Sequence, residues 1–289
     1  MMTRYYQFAG IKIAISMSEE LWFQDEFRLT PFCTDGPTAD RIFLFEKMEE
    51  LAPPEGSLVC SDPMRLTYAT EDGSVRYIDA HGMDWRKASI RVQYRKNDIL
   101  VQVNGNHVAN RITARYVLEC LSAEHLLARN NGFAFHCSYI DHNGKAILFT
   151  APSETGKSTQ ADLWNKYRGA EIINGDRAAV RLVDDVLMAE GIPFAGSSKY
   201  CENRSLPIEA IVYLGQAPRT SIRKLRGYEA FSKIWEGVSV NTWDKEDMER
   251  VSAVVQQVAS RIPVYHMPCT PDESAVIALE EALRKQVTP

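Results

Sequence analysis

The sequence is most informative at residues 150–159, which read Thr-Ala-Pro-Ser-Glu-Thr-Gly-Lys-Ser-Thr. The apolar residues 146–149 before this stretch predict a strand, and a helical pattern begins at Ser158. A strand, a loop ending in Gly-Lys-Ser and a helix are the parts of a P-loop, or Walker A motif, which binds nucleotide phosphates. The stretch therefore predicts an α/β core built around a nucleotide site.

Each residue type in the loop has a chemical reason to be there. Gly156 lets the backbone approach the phosphates, Lys157 supplies a positive charge to the β- and γ-phosphates, and Ser158 offers a hydroxyl to Mg²⁺. The expected binders of ATP and Mg²⁺ are the consecutive residues Ser153, Glu154, Thr155, Gly156, Lys157, Ser158 and Thr159. The alternative is a surface turn that happens to contain Gly-Lys-Ser.

A P-loop enzyme also needs an acidic residue to hold the metal, usually at the end of a neighbouring strand. Asp176 follows the run Ile-Ile-Asn-Gly at residues 172–175, so it is the expected second metal ligand beside Ser158. The alternative is an ordinary turn aspartate.

Composition argues against some classes of partner. The chain has 289 residues, of which 45% are hydrophobic and 25% charged, with a net charge of −5. A net negative charge argues against DNA or RNA as partner, because non-specific affinity for nucleic acid comes from Lys and Arg. No apolar run approaches the roughly 18 residues that a membrane-spanning helix needs, so no membrane partner is expected.

The N-terminus and the cysteines suggest a cytoplasmic protein. Residues 1–6 have no apolar region of the kind a signal peptide contains. The six cysteines are scattered without a Cys-x-x-Cys pair, which suits a reducing compartment. His266 and Cys269 form a lone His-x-x-Cys, which is weak support for a metal site.

The pattern of elements predicts two domains, residues 1–110 and 111–289. The first is β-rich, with strand patterns at 10–15, 90–94 and 99–103 and one helix near 41–51. The second is mixed α/β. Its expected helices lie at 112–129, from 158 to about 167, 228–236, 245–261 and 272–285, and its expected strands at 133–140, 145–150, 171–173, 178–183, 186–189, 209–214 and 264–267.

Residues 136–177 resemble HPr kinase/phosphorylase and, more distantly, ATP-dependent phosphoenolpyruvate carboxykinase. His136 stands fifteen residues before Ala151, the loop matches at Ser153 and at Gly156–Lys157–Ser158, and Asp176 matches the second acid of the family's acidic pair. Residues 112–285 look like a diverged group of HPr-kinase-like proteins that accompany peptide-modifying gene clusters. The segments that carry this likeness are 160–164, 174–177, 191–198 and 207–214.

The resemblance implies a mixed α/β fold with a C-terminal HPr-kinase-like (PEP-carboxykinase-like) P-loop core after a smaller β-rich N-terminal domain. It also implies phosphoryl transfer to a hydroxyl, and it suggests a homo-oligomer. Three residues depart from the family pattern: Ala151 and Glu154 replace glycines of the loop, and Gly175 replaces the first acid of the pair.

The expected catalytic residues are His136, Asp176 and Arg204. His136 and Asp176 would orient or deprotonate the acceptor, and Arg204, in the polar segment 196–204, would neutralise developing phosphoryl charge, with Lys199 as the alternative. A Cys137–His136 nucleophilic pair is disfavoured, because adjacent strand residues point to opposite faces.

Two functions follow. The first is an ATP- and Mg²⁺-dependent kinase acting on a hydroxyl of a peptide or small molecule, with the N-terminal domain in substrate recognition. The second, motivated by Glu154 and Gly175, is a nucleotide- or peptide-binding module of a peptide-modification system without efficient transfer. A carboxykinase-like lyase is a third, disfavoured reading, because the chain is short for it. The acceptor and the nucleotide base stay open.

Overall fold

The computed structural model describes residues 1–23, 27–95, 98–108 and 112–287. The chain forms two compact units, Met1–Ser122 and Ala123–Pro289. The unit boundary therefore falls twelve residues after the domain boundary that the sequence suggests. Within the described residues, no helix combines the length and the apolar character needed to cross a membrane.

The N-terminal unit is built on one mixed sheet of nine strands. In order across the sheet these are β3 (Cys33–Thr34), β1 (Met2–Phe8), β2 (Ile11–Met17), β4 (Arg41–Met48), β9 (Asp98–Asn104), β8 (Ile90–Tyr94), β7 (Gly73–Ile78), β6 (Arg65–Thr70) and β5 (Ser57–Asp62). The same unit also contains the α-helix α1 (Ala114–Leu121) and the short 3-10 helices Glu19–Leu21, Thr30–Phe32, His81–Met83 and Trp85–Lys87.

The helix expected near residues 41–51 is wrong, because this segment forms β4 in the interior of the sheet. It pairs in parallel with β2 on one side and with β9 on the other. Phe43 and Phe45 are buried while Leu44 and Glu46 are less so, which is the two-residue alternation of a strand. Pairing on both sides overrides the helical preference of the charged residues that follow.

The C-terminal unit contains the remaining elements. They are α2 (Ala123–Ala128), β10 (Gly132–His136), β11 (Ser138–His142), β12 (Lys145–Thr150), α3 (Lys157–Arg168), β13 (Glu171–Asn174), β14 (Arg177–Val183), β15 (Val186–Glu190), β16 (Ser205–Gln216), β17 (Arg223–Leu225), α4 (Gly227–Trp235), β18 (Val238–Ser239), α5 (Lys245–Arg261), β19 (Val264–Cys269) and α6 (Glu273–Val287).

Two expected elements of this region are each divided. The single helix expected at 112–129 is α1 and α2, separated by Ser122, whose φ of 48° is left-handed and ends the first helix. The single strand expected at 133–140 is β10 and β11, separated at Cys137. The expected helix at 245–261 is confirmed with the same bounds.

Strand β16 organises the second sheet, whose strand order is β13-β11-β12-β16-β15-β14-β10-β18. Its first residues pair with β15, and its later residues pair in parallel with β12 and β19. The carboxyl ends of the parallel strands β12 and β16 lie side by side, with Thr150 opposite Tyr213. Loops that follow such strands meet at one edge of a sheet, which is where α/β proteins place their ligands.

Strand β12 is buried on both faces. Leu148 packs into one apolar cluster with Val251 and Val255 of α5. Phe149 packs into the other with Trp164 of α3 and Leu279 of α6. The sheet therefore lies between two helical layers, which fixes the direction in which β12 delivers the loop that follows it.

The burial of the cysteines predicts their reactivity. Cys33 and Cys60 are exposed, whereas Cys120, Cys137, Cys201 and Cys269 are buried. Burial raises the pKa of the Cys137 thiol far above its ordinary value, so it holds no reactive thiolate at neutral pH. We expect an aromatic disulfide reagent at pH 8 to modify Cys33 and Cys60 quickly and the four buried thiols only after unfolding. Fast labelling of Cys137 in the folded protein would contradict this burial pattern.

Candidate phosphate-binding site

The loop at residues 151–156 joins β12 to α3 and turns sharply at its end. Gly156 precedes the first helical residue with a φ of 114°, a conformation that glycine adopts without steric cost. The first backbone N–H groups of α3 have no carbonyl partner within the helix, as at every helix start. Free amides at a helix N-terminus after a buried strand form an anion-binding site.

Glu154 has a backbone conformation that glycine usually adopts. Its φ is 63°, in the left-handed region that non-glycine residues rarely adopt. The Gln216 side chain at the end of β16 donates to the Glu154 carbonyl at 3.4 Å. The loop therefore keeps its sharp bend despite the substitution, and the exposed Glu154 side chain lines the cavity above it.

Lys157 is held inside the loop. The residue is only 8% exposed, and its Nζ donates to the backbone carbonyls of Ala151 at 3.2 Å and Pro152 at 3.5 Å. Burial lowers the pKa of the Lys157 ammonium, and the nearby Asp176 carboxylate opposes that effect. A cation that faces carbonyls in this setting is under-solvated, so phosphate oxygens would be better partners for it than the loop alone.

Asp176 lies next to His136 at the junction of β10 and β14. His136 Nε2 is 3.6 Å from Asp176 Oδ1, and Arg177 Nε is 3.3 Å from Oδ2. The His136 imidazole, followed by the Arg177 guanidinium, holds the pKa of the Asp176 carboxyl below its ordinary value, although burial acts in the opposite direction. Asp176 is therefore a carboxylate at neutral pH, as a metal ligand must be.

Two hydrogen bonds to backbone carbonyls join this pair to Cys137 and to Thr150 at the end of β12. The Cys137 amide donates to the Asp176 carbonyl at 3.0 Å, and the Thr150 hydroxyl donates to the His136 carbonyl at 3.0 Å. Thr150 is the last residue of β12, immediately before the loop. The His136–Asp176 pair and the phosphate loop are thus adjoining parts of one edge of the sheet.

The buried side chain of Asn174 fixes the turn that carries Asp176. Its Oδ1 accepts from the amides of Asp176 at 2.9 Å and Arg177 at 3.0 Å. Its Nδ2 donates to the carbonyls of Ile192 at 3.1 Å and Phe194 at 3.3 Å. One amide side chain therefore joins the Asp176 turn to the segment at residues 192–201, which we call the cover segment.

The cover segment packs tightly against two residues of the site. A Cβ on Gly196 would lie 2.7 Å from Asp176 Cγ, so the backbone of Gly196 rests directly on that carboxylate. A Cβ on Gly175 would lie 2.5 Å from Ser198 Oγ. The space beside Gly175 is therefore filled by Ser198, and no larger residue fits at 175 without moving the cover segment.

The cavity between the loop and the cover segment measures about 440 Å³. Six of the expected site residues line it: His136, Ser153, Glu154, Lys157, Ser158 and Asp176. Thr155, Gly156 and Thr159 belong to the loop and to α3 but are not among its lining residues. Sequence reasoning missed Asp162 as a lining residue, because its place on the first turns of α3 resembles an ordinary solvated helix position.

Arg204 is not brought to the cavity. Its Nη1 lies 3.0 Å from Asp141 Oδ2 and 2.5 Å from Glu171 Oε2, so its charge is already paired. The cover segment instead contributes Ser197, Ser198, Lys199 and Tyr200 to the lining. The sequence alternative to Arg204, Lys199, is thus the basic residue that this segment presents to the cavity.

The donor set suits Mg²⁺ with a nucleotide phosphate. Mg²⁺ prefers oxygen ligands and is usually bound by one or two protein groups together with substrate phosphates. The Ser158 hydroxyl and the Asp176 carboxylate are oxygen donors that line the same cavity as Lys157. Among the residues that the structure describes, three protein ligands come together elsewhere, at His125, Asp244 and Asp247, where Asp244 caps α5 and His125 pairs with Asp247.

No protein-family model matches the chain, and no curated protein matches it. Among solved structures, the chain is similar to the Hpr(Ser) kinase/phosphatase from Coxiella burnetii. The two are 11% identical with a TM-score of 0.33, and the match covers 53% of this chain and 89% of that one. A TM-score of this size does not establish a shared fold, so fold and site are taken from the geometry above.

The contact between Gly175 and Ser198 predicts a compensating pair of substitutions. Gly175→Ala should destabilise the C-terminal unit by about 1–3 kcal/mol, as overpacking does, because its new methyl group meets Ser198. In the double variant Gly175→Ala/Ser198→Gly, most of that loss should disappear. Chemical denaturation of the unaltered protein, the two single variants and the double variant measures the coupling free energy between the two positions. Additive losses would show that the two positions do not meet.

Proposed function

We propose that the protein is an ATP- and Mg²⁺-dependent kinase that transfers the γ-phosphoryl group to a hydroxyl of a peptide or a small molecule. The observation that carries the proposal is the meeting of a buried Lys157 and the His136–Asp176 pair in one cavity. A phosphate loop without a neighbouring carboxylate would support nucleotide binding only. A carboxylate with a base beside it is what transfer requires in addition.

The roles of the residues follow from their positions. Lys157 and the first amides of α3 would hold the β- and γ-phosphates, so Lys157 would exchange its bonds to the loop carbonyls for bonds to phosphate oxygens. Ser158 and Asp176 would hold Mg²⁺, which when bound neutralises charge on the phosphates. Lys199 would add positive charge from the cover segment.

The acceptor hydroxyl would lie between His136 and the cover segment. Asp176 would orient it, and the proton it releases would pass to Asp176 or to His136, which lie within 3.6 Å of each other. Positioning and charge neutralisation supply most of the rate in phosphoryl transfer, so a weak base is sufficient. The β-rich unit at Met1–Ser122 is proposed to recognise the acceptor.

The loss of ATP turnover in Lys157→Ala tests this proposal. Removal of the buried charge should lower kcat/KM for ATP consumption at least about a hundredfold, the size typical of lost electrostatic stabilisation. Asp176→Asn should do the same by weakening the metal site. Lys166→Ala is the matched control, because Lys166 lies on the same helix but is exposed. ATP consumption by Lys157→Ala at the rate of Lys166→Ala would contradict the kinase proposal.

A second candidate is a module that binds nucleotide without efficient transfer. Gly175 stands where the resembled kinases have their first acid, and Ser198 fills the space beside it. Glu154 adds a carboxylate to the phosphate side of the cavity. Calorimetry with ATP and Mg²⁺, followed by an assay of γ-phosphate transfer to serine-containing peptides, separates the two candidates. Tight binding that Lys157→Ala abolishes, with no transfer and no ATP consumption, would favour the module.

A further inference from the structure

The cover segment brings hydroxyl groups into the cavity. Ser197 and Ser198 line it together with Lys157, Ser158 and Asp176. Gly196, the residue before Ser197, rests on the Asp176 carboxylate. Ser197 is therefore the next residue after Gly196, which contacts Asp176. Asp176 is the residue that would orient an acceptor hydroxyl.

The fold holds the cover segment in this place at both ends. At one end Asn174 Nδ2 donates to the carbonyls of Ile192 and Phe194. At the other end Asn174 and Cys201 form an antiparallel bridge, and the Glu202 amide donates to the Ile173 carbonyl at 3.0 Å. A group on a segment tethered this closely has an effective concentration in about the millimolar range or above. The chain thus supplies its own hydroxyl to the site continuously.

The two serines differ in the hydrogen bonds and packing contacts that their side chains make. Ser198 Oγ accepts from the Tyr200 amide at 3.0 Å and fills the space above Gly175. Ser197 is exposed to the cavity, and its hydroxyl makes no hydrogen bond with the residues that the structure describes. Ser197 is therefore the serine that can turn towards a phosphate without breaking the packing of the cover segment.

We propose that Ser197 is a site of phosphorylation in cis, carried out by the same cavity with a nucleoside triphosphate as donor. The inference rests on the proposed kinase function. A bond forms between Ser197 Oγ and the γ-phosphorus, and the bond from that phosphorus to the bridging oxygen breaks. The electron pair leaves with the nucleoside diphosphate, and the hydroxyl proton passes to Asp176 or His136.

The modification would limit further use of the site. A phosphoserine carries a charge of about −1.5 to −2 at neutral pH. At position 197 this charge would enter a cavity that already contains Asp176, Glu154 and Asp162. Like charges would repel the phosphates of an incoming nucleotide. The phosphorylated protein should therefore bind nucleoside triphosphate more weakly than the unmodified protein.

Intact-mass measurement tests the proposal on the full chain. After incubation with ATP and Mg²⁺ and no other acceptor, we expect one phosphate per chain, located on Ser197 by peptide sequencing in the mass spectrometer. Ser197→Ala should lose this phosphate, and the matched control Ser221→Ala, at an exposed position lining a different groove, should keep it. A phosphate on Ser198 or on any other residue would overturn the assignment.

A mixing experiment tests the route in cis. The Lys157→Ala chain keeps Ser197 but lacks the lysine proposed to bind phosphate. The Ser197→Ala chain keeps Lys157 but lacks the acceptor hydroxyl. When the two variants are mixed with ATP and Mg²⁺, neither chain should gain phosphate. For the unaltered protein, the rate of incorporation per chain should not depend on protein concentration. Labelling of the Lys157→Ala chain in the mixture would contradict a route in cis.

Nucleotide binding gives a readout independent of transfer. Ser197→Glu should bind ATP about tenfold more weakly by calorimetry, because it adds a negative charge to the cavity that would hold the phosphates. Ser221→Glu should bind as the unaltered protein does. Equal affinity in both variants would contradict the predicted self-limitation.

Two outcomes separate a kinase that is not modified at Ser197 from a protein that is not a kinase. A protein that binds ATP and phosphorylates a peptide, yet carries no phosphate on Ser197, retains the kinase function and loses the inference. A protein that neither binds nor consumes ATP loses both.

Discussion

The side chain of Asn174 has no exposed surface, and the arrangement of the candidate site depends on the hydrogen bonds that it makes. Through its oxygen it shapes the turn that presents Asp176, and through its nitrogen it holds the cover segment over the same turn. A buried amide with satisfied donors and acceptors specifies one arrangement, because each unmade bond would cost about 1–3 kcal/mol. The cavity walls on the Asp176 side thus have a common anchor.

The opposite wall of the cavity contains the ammonium group of Lys157, a charge that the surrounding fold stabilises poorly. Lys157 is buried among loop carbonyls, with a lowered pKa, and the partner carboxylate nearby is already engaged by His136 and Arg177. Groups with perturbed pKa values in one cavity are common at functional sites, where stability is given up for ligand binding. Glu154, with its left-handed backbone, lines the same cavity.

Much of the local structure could be predicted, and particular residues show where prediction stops. The phosphate loop and the helix at 245–261 follow from periodicity and from residues with a fixed chemical role. Residues 41–48 form a strand because β2 and β9 pair with them from both sides, and those strands lie far away in the sequence. Arg204 is a basic residue in the polar segment 196–204, where a cavity residue was expected. Its guanidinium instead forms ion pairs with Asp141 and Glu171.

The sequence by itself determined the strand, loop and helix at residues 145–168 and the candidate residues Lys157, Ser158 and Asp176, because these depend on the spacing of neighbouring residues. Only the tertiary structure decided that Lys199 and not Arg204 lines the cavity, that Ser198 fills the space beside Gly175, and that Ser197 lines the same cavity as Asp176. Those answers depend on contacts between segments distant in sequence, such as Ser198 against Gly175 and Gly196 against Asp176. Such contacts are fixed by packing, which no local pattern encodes.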